Sequence, residues 1–325
     1  MGTEPSRLIG LMQLIDRIPE PPLAVRQGRP PVYPDRLFLK ALVIMTARGL
    51  PSIHGLLMAL AEPTPEMQAL RRALTSGGQF PARRTWERRL KALSASLPAR
   101  IGCLGRYLVD RMAPWATCGR AVAIDSTVLR ARGGVWHQQD RAAGVVPQRS
   151  IDTEAHWTKS GWHGWAYGWK LHVVTTVADP WIPLAAELTP ANPADNQLAA
   201  ALLAQLPMDA RFVLGDMSYQ DPDVHRCCAA GNRILVATRR GAYPHRDQGV
   251  EVRRVFHRLR SLAIEAFNAH FKEVFDCRRP VPTRGLHATR RFALGAVFVY
   301  QLVLPYRFER GNDPRTRLKP FLKTA

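Results

Sequence analysis

Two aspartates interrupt stretches that otherwise read as buried strands. Asp125 stands in the middle of AVAIDSTVL (121–129), and Asp216 closes RFVLGD (211–216). A carboxylate inside or at the end of a core strand is costly unless a cation or several donors satisfy it. If both strands belong to one sheet, the two acids come together, and their repulsion favours a divalent cation between them. Taken singly, each is also the ordinary position of a strand-end aspartate capping a turn. A third acid, Glu265, lies on an expected long helix over 253–275. There Arg258, Ser261, Glu265, Asn268 and Lys272 recur at steps of three and four, as one polar stripe. That stripe reads either as a solvent face or as a metal ligand flanked by cations.

The sequence around these acids alternates between helix and strand signals. KLHVVTTV and IPLAAEL read as strands, NPADNQLAAALLAQL as a helix capped near Asp195, PDVHRCCAA as a helix and RILVAT as a strand. This is a mixed α/β domain with helices covering a sheet. No strand-like alternation occurs before about residue 118. The first third reads as helices only, after a Pro-rich, loosely structured start over 1–34. RLFLKALVIMTAR and IHGLLMALA are followed by PEMQALRRAL, then FPARRTWERRLKALSASL, then RIGCLGRYLVDRM. FALGAVFVYQLVLPY (292–306) is too short to span a bilayer and reads as a buried helix.

Lys and Arg total 46 against 26 Asp and Glu, a net charge of +20 spread over the chain rather than held in a tail. A folded surface so basic suits a polyanionic partner. Arg83, Arg84, Arg88, Arg89 and Lys91 cluster on one helical stretch, which suits a helix-turn-helix-like DNA contact; a solvated basic face is the equal alternative. The five cysteines form no CxxC pair, and the N-terminus carries no signal-peptide pattern, so reduced thiols in a cytosol are expected. His137, His156, His163 and His172 match no compact zinc spacing. Neither GxGxxG, a Walker A sequence nor a GxSxG elbow is present.

IDST (124–127), YGWKLH (167–172), LTPANPADN (188–196), GDMSY (215–219) and IEAFNAHFK (264–272) occur in that order. Together they resemble the insertion-sequence DDE transposases with an RNase H-like catalytic domain. The interval between Asp216 and Glu265 is too short for the β-rich insertion of some relatives, so the resemblance is to the compact, insertion-free branch. It implies an RNase H-like mixed sheet flanked by helices over 116–325, with a basic C-terminal tail, after a helical DNA-binding module over 1–115. It further implies a catalytic triad of Asp125, Asp216 and Glu265 holding two Mg²⁺ ions, with Mn²⁺ as substitute: Asp125 bridging, Asp216 on one ion, Glu265 on the other or on the attacking water. Water would free a 3′-hydroxyl at the element end, and that hydroxyl would attack target DNA. The partners implied are terminal inverted repeats and target DNA, with a homodimer on synapsed ends and a cytoplasmic location; no membrane is involved. A nuclease that cuts without joining, or a domesticated DNA-binding protein, are the alternatives. Relatives often show Tyr, two residues, Arg, three residues, Glu, six residues, Lys. Here Glu265 and Lys272 keep the last spacing, while Arg258 and Ser261 replace the Tyr and the Arg, leaving Arg258 or Arg260 to supply the cation. Lys272 and Arg258 are expected on backbone phosphate.

The stretch GWHGWAYGWKLH (161–172) leads into the strand KLHVVTTV, which is expected beside the strand of Asp125. Tyr167 and Trp169 are expected in the core. Trp157, Trp162 and Trp165 are expected in a Gly-containing loop, where an aromatic face could stack on an unpaired base. His172 faces either the site or the core.

Overall fold

The computed structural model describes residues 6–22, 32–112, 120–145, 147, 150–160, 164–237 and 250–323. It divides into two compact units, one of residues 1–100 with 287–325 and one of residues 101–286.

The second unit is built on six strands: β1 (Ala121–Arg130), β2 (His156–Ser160), β3 (Gly164–Thr176), β4 (Pro183–Pro190), β5 (Phe212–Gly215) and β6 (Ile234–Ala237). β1 is central. It pairs antiparallel with β3 on one side and parallel with β5 on the other, and β5 pairs parallel with β6. The far edge of β3 is shared: β2 pairs with its first five residues and β4 with the remainder, both antiparallel. Three antiparallel strands continued by two parallel ones around β1 are the RNase H-like arrangement. The parallel neighbours need crossovers, and short helices supply them. A 3₁₀ turn (Asp195–Leu198) and two helices lie between β4 and β6, the helices numbered α7 (Ala199–Leu203) and α8 (Pro222–Ala230). Residues 121–124 of β1 are buried, as expected of a strand covered on both faces. After β6 come α9 (Val250–Arg260), a π-helical turn (Ser261–Glu265) and α10 (Ala266–Val274).

The first unit is helical. It contains α1 (Arg7–Arg17), α2 (Asp35–Ala47), α3 (Ile53–Ala59), α4 (Pro65–Ala73) and the first part of α5 (Arg83–Met112). Ser52 caps α3 by accepting from the Gly55 N–H, and Thr64 caps α4 by accepting from Met67, with Pro65 at the first helical position. Trp86 is fully buried, with the Phe38 ring edge-on at 5.1 Å. A five-residue helix, α6 (Gln138–Ala142), belongs to the second unit, while α11 (Leu286–Phe308) and α12 (Leu318–Lys323) complete the first. α11 is buried almost all round from Ala293 to Tyr306. Among the described residues, no helix is long and apolar enough to cross a membrane.

Three expectations from the sequence need correction. Residues 7–17 form a helix burying Leu8, Leu11, Leu14 and Ile15, where a loose start was expected. α5 is one 30-residue helix that runs through Pro98, where two helices were read. Burial of Leu90, Leu93 and Leu97 before the proline and Ile101, Leu104 and Leu108 after it outweighs one lost backbone hydrogen bond. Residues 287–325 group with the N-terminal helices in one compact unit, and the boundary between the two units falls within α5. Finally, the region before KLHVVTTV is a hairpin of β2 with the first half of β3, so Trp157 and Trp165 are strand residues and not loop residues.

Gly168 shows why YGWKLH tolerates little change. It pairs with Arg130 of β1 on one side and His156 of β2 on the other. A Cβ built there would lie 2.1 Å from the Leu129 carbonyl oxygen. Gly168→Ala is expected to cost about 1–3 kcal/mol by forcing backbone apart, read as a lowered urea midpoint with an unchanged slope. An unchanged midpoint would show that the three strands are not in this register.

Candidate catalytic cleft

Asp125 lies midway along β1, opposite Val173 of β3. The β1–β5 register runs Ala121–Phe212, Val122–Val213 and Ala123–Leu214, so two further steps bring Asp216 beside Asp125. Asp216 caps the short 3₁₀ turn Met217–Tyr219, its Oδ1 accepting from the Ser218 N–H at 2.8 Å and from the Ser218 hydroxyl. Glu265 ends the π-helical turn. All three carboxylates line one cleft of about 730 Å³ in the sheet unit, together with Arg260, Lys272 and Asn268.

The π turn decides which arginine faces Glu265. A π turn carries one residue more than an α turn, which rotates everything upstream by about 100°. The stripe of threes and fours read from the sequence is broken there. Arg260, five residues before Glu265, is aligned with it: its side chain is 8% exposed and donates to Glu265 Oε1 at 2.7 Å, joined by the Ser261 hydroxyl at 3.2 Å. Arg258 is exposed and does not line the cleft. Of the two arginines that could replace the missing one, the fold brings Arg260 to the acids.

Asp195 and Lys170 were not singled out as site residues. Asp195 lines the cleft and does not cap its helix; its carboxylate takes the Lys170 ammonium at 2.8 Å, and Lys170 also donates to the Pro193 carbonyl at 2.9 Å. The residue before it, Ala194, occupies the cap position. A signal was present: Asp195 lies inside the block LTPANPADN, and Lys170 inside YGWKLH. Asn268 donates through Nδ2 to Asp125 Oδ2 at 3.2 Å. Lys159 of β2 and Arg278 stand on the exposed rim. Trp165, paired with Lys159 across the hairpin, is 61% exposed. Trp157 is engaged, its indole N–H on the Trp136 carbonyl at 2.6 Å and its ring against Tyr167. Tyr167 and Trp169 are buried in the core as expected. Trp162 and His163 lie outside the described residues. In the helical unit, Arg84, Arg88 and Lys91 are exposed on α5, whereas Arg83 pairs with Glu87, and Arg89 with Asp35.

Burial pushes the Asp125 carboxyl up to about 7, reinforced by the charges of Asp216 and Asp195 and opposed by the Ser126 backbone N–H and Arg260. The Tyr219 hydroxyl, buried with no hydrogen-bond partner among the described residues, is held above its ordinary value by burial and by the same three carboxylates. Burial lowers the Lys272 ammonium. Excess negative charge is thus confined around Asp125, where a cation is the natural counterpart. The oxygen donors of Asp125 and Asp216 suit a hard divalent ion. Among the described residues no three His, Cys, Asp or Glu side chains are grouped to hold an ion as they lie. Glu265 would have to leave Arg260 to become a third ligand.

His172 belongs to the core. It is fully buried, with Nε2 3.0 Å from Thr189 Oγ1, and burial pushes it down to about 4, Asp195 opposing and Lys170 adding to the effect. Its folded value lies below the ordinary 6.5. The neutral ring therefore stabilises the fold fully above pH 6.5, and this stabilisation is lost as pH falls toward 4. Relative to His172→Gln, the wild-type protein is expected to lose on the order of 2 kcal/mol between pH 7 and pH 4. Urea titrations across that range check this; parallel pH profiles for the two proteins would rule it out.

The comparison with curated proteins gave no match. Among solved structures, a piggyBac transposase synaptic complex with hairpin DNA aligns over 97% of this chain and 75% of that one, at 9% identity and a TM-score of 0.40. A pre-cleavage Mos1 transpososome aligns over 86% of this chain and 80% of that one, at 11% identity and a TM-score of 0.23. Both alignments are distant. The family comparison is different in kind: the transposase DDE domain matches residues 116–302, more than half of the chain and including Asp125, Asp216 and Glu265. On that match the chain belongs to the transposase DDE domain family.

Proposed function

We propose that the protein is a DNA transposase that binds element ends, opens a phosphodiester bond at Asp125, Asp216 and Glu265, and joins the freed 3′-hydroxyl to target DNA. The observation that carries this reading is the cleft itself. Three carboxylates, from β1, from the turn after β5 and from the π-helical turn, line it, and one of them is pushed up to about 7 by burial and by its acidic neighbours. Such a site holds negative charge that a divalent cation, Mg²⁺ or Mn²⁺, would neutralise.

When bound, the ion would supply an activated water and stabilise the leaving oxygen. Asp125 and Asp216 would hold it, Asp125 from a strand paired on both edges and Asp216 from a turn fixed by Ser218. Glu265 would join them on release from Arg260, whose guanidinium then becomes available to a phosphate. Lys272, Lys159 and Arg278 would follow the backbone of the cut strand along the cleft. The exposed Trp165 face, beside Lys159 on the hairpin, would stack on an unpaired base. Arg84 and Arg88 on α5 would contact the phosphates of the terminal repeats. Two copies of the chain would be needed to hold two ends.

Asp125→Ala should lower cleavage and strand transfer by at least about 100-fold while leaving affinity for DNA carrying the element ends within about twofold. The assay is joining of a pre-cut end to a plasmid in Mg²⁺. Strand transfer by the alanine protein at the wild-type rate would defeat the assignment, and wild-type cleavage without joining would mark a nuclease. For the helical unit, replacing Arg84 and Arg88 together by Ala should reduce the slope of log affinity against log salt by about 2, since each phosphate contact contributes about 0.9. An unchanged slope would remove these residues from the interface.

A further inference from the structure

We propose that Asn268 is a positioning residue for the phosphodiester chemistry: it fixes one oxygen of Asp125 and leaves the other for the cation. This rests on the reading of Asp125 as a catalytic carboxylate. Among the described residues, Asn268 is the one side chain that donates to Asp125, through Nδ2 to Oδ2 at 3.2 Å. The bond ties α10 to the middle of β1 across 143 positions of sequence. The amide NH₂ only donates, so in this pairing Asp125 Oδ2 is the acceptor.

Packing alone does not account for an asparagine here. The residue is 8% exposed, and Phe267 and Phe271 beside it on α10 are fully buried. Its Oδ1 is buried with no hydrogen-bond partner among the described residues. An unpaired buried carbonyl costs stability that leucine at the same place would not. What the asparagine provides in return is the bond to Asp125. Its position on α10 supports this. Asn268 follows Glu265 by three residues and precedes Lys272 by four, downstream of the π turn, so all three share the cleft-facing side of the helix. A carboxylate that must hold a cation needs its second oxygen fixed, and partners of this kind govern metal affinity.

The test uses the full chain, with Mn²⁺ binding followed by electron paramagnetic resonance in the absence of DNA. Cleavage of a supercoiled plasmid carrying the gene's own flanking sequences is measured in parallel. Asn268→Leu, which keeps the volume and loses the donor, is expected to bind Mn²⁺ at least about tenfold more weakly, with an unchanged or higher melting temperature. Asn268→Asp, which keeps the shape and brings a second carboxylate, is expected to hold Mn²⁺ at least as tightly yet cleave at least about tenfold more slowly. A residue that only fills space predicts neither split. If Asp125→Ala abolishes Mn²⁺ binding while Asn268→Leu binds as wild type does, the Asn268 proposal falls and the catalytic reading stands. If Asp125→Ala leaves Mn²⁺ binding unchanged, both fall. Should the leucine protein not fold, the aspartate protein decides: cleavage at the wild-type rate overturns the proposal.

Discussion

A carboxylate held inside the central strand of a sheet is the constraint around which the second unit is arranged. β1 is paired with β3 along its whole length, Asp125 opposite Val173, and with β5 up to Ala123 just before it, so the backbone of Asp125 is held in the sheet. Its charge has to be met where it stands. The Ser126 backbone N–H, the Asn268 amide and the buried Arg260 guanidinium meet part of it, while Asp216 and Asp195 add to the burden. The balance remains against ionisation, which is why the carboxyl is pushed up to about 7. A protein selected only for stability would place an apolar residue there. A cation beside the acid would offset that cost.

The π turn between α9 and α10 is the second device on which the cleft depends. Helices rarely adopt this geometry, because its hydrogen bonds are less favourable than α-helical ones, and it recurs at functional positions. Here it rotates Arg260 onto Glu265. The same turn leaves Asn268 and Lys272 in ordinary helical phase with Glu265 below it. One inserted residue thus gives a buried cation to the acid above and a polar donor to the acid on β1. An Arg one position nearer to Glu265 in sequence would have needed no such turn.

Much of the fold was legible because its signals are local. The β1 and β5 strands carry apolar runs that each meet an aspartate, and Ser52 and Thr64 stand where helix starts require a side-chain acceptor. The misreadings came from competition between local and distant terms. Pro98 is a local helix breaker, but leucines on both sides of it are buried along one continuous α5. HWTKS has little strand signal alone and becomes β2 only by pairing with β3. Asp195 looked like a cap because its sequence neighbours suit one, yet Lys170, from a different strand, takes the carboxylate. The basic cluster of α5 likewise split: Arg89 is drawn to Asp35 of α2, while Arg84 and Arg88 remain exposed.

By itself the sequence determined the residue types available to the chemistry and the order in which they occur, because carboxylates in apolar strands and a Glu–Lys spacing on a helix are properties of neighbours along the chain. It also determined that the surface would be strongly basic, since 46 cationic residues against 26 acids cannot be hidden in a core. The tertiary structure decided which of those residues meet. It chose Arg260 over Arg258 through one π turn, brought Asp195 and Asn268 to Asp125, and grouped residues 287–325 with the helical unit. These outcomes depend on pairing and burial between segments far apart in the chain, and no spacing within a segment encodes them.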